Sequence, residues 1–202
     1  HSREEIDHVY ELIRYSAKDG AMMRDIAEYL TKQDLQDSKL YSHLINIALE
    51  NTQDNEELIR AFASDKPVRD VIRLAQQNSD NKQAYNICVN GLMQRLNSES
   101  NSSAMIYDVI KIPEISQHIL NKMNDKISES GDKTDFVKVM RLNEAIIRKH
   151  PENRNIVKQV LDVSKKLVET GSKEVSPDTI LQLNKVIIEN NPRDKNIVKP
   201  VL

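Results

Sequence analysis

RLNEAIIRKHPENRNIVKQVL, residues Arg141 to Leu161, and QLNKVIIENNPRDKNIVKPVL, residues Gln182 to Leu202, align without a gap 41 residues apart, with 11 of 21 positions identical. Self-similarity at a period of that length is the signature of a repeat architecture, in which one supersecondary unit is copied along the chain. The shared positions are Leu142 with Leu183, Asn143 with Asn184, Ile146 and Ile147 with Ile187 and Ile188, and Pro151 with Pro192. The match continues from Asn155, Ile156, Val157, Lys158, Val160 and Leu161 into Asn196, Ile197, Val198, Lys199, Val201 and Leu202. Most of these are apolar residues at helical spacing, so what repeats is a packing frame.

Fainter copies extend the frame upstream. HLINIALENTQDNEELIRAF, from His43 to Phe62, aligns about two periods before the Arg141 copy and sets Leu44 against Leu142, Asn55 against Asn153, and Leu58 and Ile59 against Ile156 and Val157. Between them, GLMQRLNSESNSSAMIYDVI supplies Leu92, Leu96, Ile106 and Ile110 at the positions of Leu142, Ile146, Ile156 and Val160. Val9, Leu12 and Ile13, followed by Met22, Met23 and Ile26, suggest one more copy at the N-terminus. Prolines at 67, 113, 151, 177 and 192 punctuate the pattern. Proline lacks the N–H that an interior helical residue donates but fits the first turn, so each reads as a helix start. Ser176 precedes one as a capping candidate, and Glu114, Glu152 and Asp178 follow where the helix dipole favours a negative charge.

The composition agrees with an all-helical chain. Four Gly, two Phe and no Trp stand beside an abundance of Leu, Ile, Ala, Glu, Lys and Gln, residues that lose little freedom in a helix. Periodicity predicts helices over 4–17, 22–31, 39–51, 55–62, 67–77, 82–97, 104–110, 113–127, 134–150, 152–169 and 177–190, with a last piece from Arg193. A net charge of −2 leaves no whole-chain nucleic-acid footprint. No apolar run approaches the roughly 18 to 20 residues that span a bilayer. The single cysteine, Cys88, lies in an apolar run and reads as a buried structural thiol; one cysteine excludes an internal disulfide and suits a reducing, cytoplasmic setting.

The order of helices, a polar turn and a longer helix ending at a break such as His150-Pro151, resembles the armadillo repeat family. The stretch from Phe136 to Gly171 looks like that family's third helix, an Asn- or Pro-containing turn, and the first two helices of the following unit. The resemblance implies a right-handed α-solenoid of about four irregular armadillo-like repeats over residues 3–202, with the two-helix HEAT family as the alternative. Residues 1–2, His1-Ser2, read as a tag or cloning remnant. The last copy stops at Val201-Leu202, where the previous one runs on through DVSKKLVETG, so the segment is expected to be cut from a longer protein. Two departures from the family stand out: units of about 41 to 50 residues, and no glycine between the first two helices of a unit. Nuclear-import adaptors of the family clamp an extended peptide with repeated Trp and Asn. Asn143 and Asn184 recur here without any Trp, which argues against that mode.

Such a segment is expected to be a non-catalytic scaffold for protein partners, without a cofactor. The histidines His8, His43, His118 and His150 are scattered, and no HExxH, phosphate loop or nucleophile motif is present. The polar stripe of the 134–150 helix, Lys138, Arg141, Glu144, Arg148 and Lys149, with Gln182 and Lys185 of the next copy, is the candidate partner-binding face. Its cations, with Arg154, Lys158, Lys165 and Lys166 nearby, suit an acidic segment of a partner; the alternative is a solvated face that only keeps the chain soluble. A regulatory module that binds a small GTPase or autoinhibits its parent protein, and a connector between cytoskeletal filaments and membrane or receptor tails, are the two other roles considered.

Overall fold

The structure, a computed structural model, describes residues 3–35, 38–98, 103–130, 135–170 and 177–190. The described residues form eleven α-helices and no strand: α1 (Arg3–Tyr15), α2 (Gly20–Lys32), α3 (Lys39–Glu50), α4 (Glu56–Asp65), α5 (Val68–Gln77), α6 (Lys82–Ser98), α7 (Ser103–Val109), α8 (Pro113–Ser130), α9 (Phe136–Lys149), α10 (Arg154–Glu169) and α11 (Pro177–Asn190). The chain is all-α. Each helix overlaps its predicted span, and the expected piece from Arg193, with Pro192, lies outside the described residues. No described helix is long and apolar enough to cross a membrane.

Local chemistry sets the helix ends. The side chains of Asp19, Ser38, Asn81 and Asp135 accept hydrogen bonds from the backbone N–H groups of Met22, Tyr41, Ala84 and Lys138 at 3.0 to 3.2 Å. Each satisfies one of the four N–H donors that a helix start leaves unpaired. Pro113 and Pro177 are the first residues of α8 and α11, as their missing N–H requires. Pro67 sits one residue before α5. Pro151 departs from the expectation: it and Glu152 occupy a turn, because Asn153 Oδ1 takes the Ile156 N–H at 3.2 Å and so delays α10 to Arg154. At the end of α2, Asp34 adopts a left-handed conformation (φ 57°), Leu35 N–H bonds Leu30 C=O at 2.8 Å, and Asp34 N–H bonds Thr31 C=O at 3.0 Å. This paired return closes the helix and sets Leu35 beyond Leu30.

The chain divides into two compact units, His1–Glu99 and Ser100–Leu202. Within the first, α1 packs on α3, α2 on α3 and α4, α4 on α6, and α5 on α6. Within the second, α8 lies against α10 and α9 against both α10 and α11. The principal partners are therefore neighbours in chain order or one helix apart. In the second unit α8 and α10 begin 41 residues apart, at 113 and 154, and so do α9 and α11, at 136 and 177.

The repeated apolar positions form the core. Leu142, Ile146, Ile147, Ile156, Val157 and Val160 are buried, as are Leu183 and Ile187 one period later and Leu44, Leu58 and Ile59 earlier. Each such side chain contributes about 1.5 to 3 kcal/mol on burial. Polar side chains at the breaks join the end of one helix to a later one. Asn55 Nδ2 donates to Ala17 O at 2.8 Å and to Asn51 O at 2.9 Å, and Asn81 Nδ2 donates to Leu49 O at 3.0 Å. His150 Nε2 meets Ile110 O at 2.6 Å; a carbonyl only accepts, so this ring nitrogen carries the proton.

Gly20 marks the closest approach between elements. A Cβ there would stand 2.1 Å from the backbone oxygen of Asp54, which a helix start and a turn hold on either side. At Gly91 a Cβ would meet the Ala63 methyl at 2.7 Å, where α6 crosses α4. Gly20→Ala is expected to lower unfolding stability by about 2 kcal/mol or more, the range for forced overpacking. Urea denaturation of the two proteins checks this, and an unchanged midpoint would mean the contact is relaxed in solution.

Candidate partner-binding faces

Helix α9 begins at its Asp135 cap and turns Phe136, Met140, Leu142, Asn143, Ile146 and Ile147 inward. The remaining positions leave Lys138, Arg141, Arg148 and Lys149 exposed. Glu144 is half-buried and takes both Arg148 Nε (3.0 Å) and Nη2 (2.8 Å) on one oxygen. This i,i+4 pair, acid before base, supports the helix by a few tenths of a kcal/mol and occupies Arg148. On α11, Gln182 is exposed, and Lys185 lies 3.8 Å from Glu189. Because α9 and α11 pack together, the stripe expected from the sequence does fall on two neighbouring helices. Among the described residues no carboxylate lies within ion-pair distance of Lys138, Arg141 or Lys149. Those three cations are the ones available to an anionic group.

The four cations expected to add to this region, Arg154, Lys158, Lys165 and Lys166, sit on α10. Lys166 Nζ donates to Ser128 Oγ on α8 at 3.2 Å, Gln159 bridges to Asn121 on α8 at 3.1 Å, and Lys165 stands 3.7 Å from Glu169. Lys166, like Gln159, thus lies on the side of α10 that meets α8.

Asn143 repeats as Asn184, but a peptide does not reach it. Its side chain is fully buried, and neither its amide nitrogen nor its amide oxygen has a hydrogen-bond partner. Asn184 is only half-buried. The histidines are likewise spent separately. His8 Nδ1 donates to Glu4 O at 2.8 Å, His43 meets the Tyr10 ring edge-on with centroids 5.0 Å apart, and His150 ties down Ile110 O. Burial, with Lys122 one turn on, holds His118 below the ordinary imidazole range. No group of three or more potential metal ligands occurs among the described residues. Cys88 is buried in α6, and burial pushes its thiol up to about 11.

A surface not foreseen from the sequence lies at the first two helices. A cavity of about 500 Å³ opens between α1, α2 and the start of α3, lined by Ile6, Val9, Tyr10, Tyr29, Leu30 and Leu35 among others. Tyr29, which lines it, is exposed, as are Leu12, Tyr15 and Met22 on the same two helices or their ends, Tyr15 by 93%. The signal was present in the doublets Leu12-Ile13 and Met22-Met23: on an amphipathic helix only one member of such a pair faces the core. Ile13 and Met23 do, leaving their neighbours outside.

Compared with protein-family models, with curated proteins and with solved structures, the chain has no significant match.

Two outcomes follow from the buried groups. Asn143→Leu, close to isosteric, removes an amide buried without partners and should raise stability by about 1 to 2 kcal/mol; a loss in thermal unfolding would show that the amide is satisfied in solution. Cys88 should ignore a thiol reagent at neutral pH until the protein unfolds. Its folded pKa lies above the unfolded value, so the folded state keeps its proton as pH rises. The stability this provides is full below the ordinary thiol pKa and is lost as pH climbs through about 11, a fall absent from Cys88→Ala.

Proposed function

We propose that this chain is a segment of an armadillo/HEAT-type helical repeat array and acts as a non-catalytic scaffold for protein partners. The observation that carries the reading is the combination of a repeated core with an unrepeated surface. Leu142/Leu183 and Ile146/Ile187 are buried at matching positions of α9 and α11, whereas Arg141, Glu144 and Arg148 become Gln182, Lys185 and Glu189. Repeats hold their frame for stacking and vary where they meet a partner. Principal packing between helices adjacent or one apart within each unit supports a stacked array, in which each repeat contacts chiefly its neighbours.

The arrangement of the second unit favours two helices per repeat, the HEAT-like alternative. Between Pro113 and Asn190 each 41-residue period holds two helices, with α8 beside α10 and α9 beside α11.

The partner-binding face proposed is that of Lys138, Arg141 and Lys149 on α9, with Gln182 and Lys185 on α11, and its ligand an acidic segment. Affinity capture with wild type and with Lys138→Glu/Arg141→Glu tests it. Proteins retained by wild type should be recovered at least about tenfold less with the variant, as expected when a central charge contact is reversed. Both residues are exposed, so helicity should be unchanged. Equal recovery removes this face from the reading.

A further inference from the structure

Helix α6, in the middle of the chain, presents a surface unlike that of the other helices. Every other described helix of eight residues or more exposes at least two charged side chains, as a solvated helix face does. On α6 the only exposed charge is Lys82, its first residue; Arg95 is half-buried and donates to Lys66 O at 2.6 Å. From Gln83 to Asn97 the exposed positions are Gln83, Asn86, Asn90, Gln94 and Asn97, all carboxamides. At 3.6 residues per turn they share about 80° of arc and run about 21 Å along one side of the helix. The rest of α6 packs on α4 and α5.

The fold has no use for such a stripe. Asparagine is a poor residue for a helix interior, because its amide competes for neighbouring backbone groups, and charged side chains would solubilise the face better. Asn86, Asn90 and Gln94 make no hydrogen bond among the described residues. Each keeps an amide donor and a carbonyl acceptor for a group outside the chain, and a group that offers both in return is another carboxamide. The order of the stripe is symmetric about Asn90: Asn86 and Gln94 lie four residues to either side, Gln83 and Asn97 seven. Two α6 helices laid antiparallel about a twofold axis at Asn90 would set Asn90 against Asn90, Asn86 against Gln94 and Gln83 against Asn97. A carboxamide then faces a carboxamide throughout, the longer opposite the shorter in every off-axis pair. In the same register Lys82 faces Ser98, so the one exposed charge of α6 meets no like charge.

We propose that α6 is a self-recognition surface through which two copies of this chain pair antiparallel about Asn90. A twofold contact uses the same patch on both copies and closes at the dimer. The charges at the start of α4 are matched within the chain, Arg60 with Glu56 and Glu57 with Arg24. Glu56 also accepts from Gln83 Nε2 at 3.4 Å, so the three inner pairs carry the contact and the outermost pair is secondary. Paired amides fix register more than they add strength, as a single Asn does in a coiled coil, and one helix face is smaller than a standard interface. The dimer is therefore weak and exchanges readily. It is independent of the Lys138 and Arg141 face.

Sedimentation equilibrium of the 202-residue chain provides the test. The wild-type mass should climb from that of one chain toward that of two as concentration reaches the millimolar range, and stop there. It should do so equally at low salt and at about 0.5 M, because no charge takes part. Asn90→Glu and Asn90→Lys should each weaken pairing at least about tenfold by setting like charges face to face. Asn90 is exposed, so helicity should not change. An equimolar mixture of the two variants should recover the dimer at low salt, because the twofold contact places residue 90 opposite itself. Asn86→Lys/Gln94→Glu should pair at least as well as wild type at low salt, each Lys facing a Glu, whereas Asn86→Lys/Gln94→Lys should not pair. A wild type that stays monomeric, grows past the dimer or disperses in salt overturns the inference. So do Asn90 variants that dimerise like wild type, or a mixture that does not recover. A monomeric wild type that still captures other proteins in an Arg141-dependent way leaves the scaffold reading standing and removes only the self-pairing.

Discussion

A helix that ends inside a packed core leaves carbonyls without N–H partners, and here the breaks between helices are built around supplying those donors. Asn55 is almost fully buried and forgoes capping its own helix, spending its amide on the ends of α1 and α3 together. Asn81 does two tasks, capping α6 with its oxygen and donating to Leu49 O with its nitrogen. Arg95 reaches from α6 to Lys66 O at 2.6 Å, just beyond the end of α4. His150 does the same for Ile110 O after α7. An unmet buried carbonyl costs roughly 1 to 3 kcal/mol, so these contacts fix which break faces which. Apolar stacking alone tolerates sliding; a directed donor does not.

The helices were legible because the apolar period and the breakers agreed. Pro113 and Pro177 mark starts, and the 41-residue match of Leu142 and Ile146 with Leu183 and Ile187 traced the buried stripe. Where reading by local rules was insufficient, a long-range contact decides the residue's role. Nothing around Gly20 in sequence announces that Asp54 O comes within a methyl's reach. Asn153 outcompetes Pro151 as the start signal because its side chain caps directly. Asn143 read as a polar repeat position, yet its depth places it among core residues. The stripe of Lys138, Arg141, Arg148, Gln182 and Lys185 was legible from period alone; that Glu144 already holds Arg148, and that α8 draws Lys166 aside, depended on the packing.

Charge is distributed by a different logic from the core. Exposed ion pairs such as Arg148 with Glu144, Arg73 with Asp70 and Lys185 with Glu189 are each worth under about 1 kcal/mol, so exchanging their members hardly changes stability. The core positions lack this freedom, since deleting a buried Leu or Ile side chain costs about 2 to 5 kcal/mol. A repeat protein can thus carry one frame and many surfaces. The two units of this chain bury the same kinds of apolar residue.

Asn143 is the position where these two logics conflict. It lies on the buried stripe, where Leu142 and Ile146 show what the frame prefers, but it keeps an amide whose two polar atoms meet no partner. Its counterpart Asn184, one repeat later, is half-buried. The same side chain is therefore acceptable at one depth and costly at another. The second unit consequently carries about 1 to 2 kcal/mol of unused stability at a single residue.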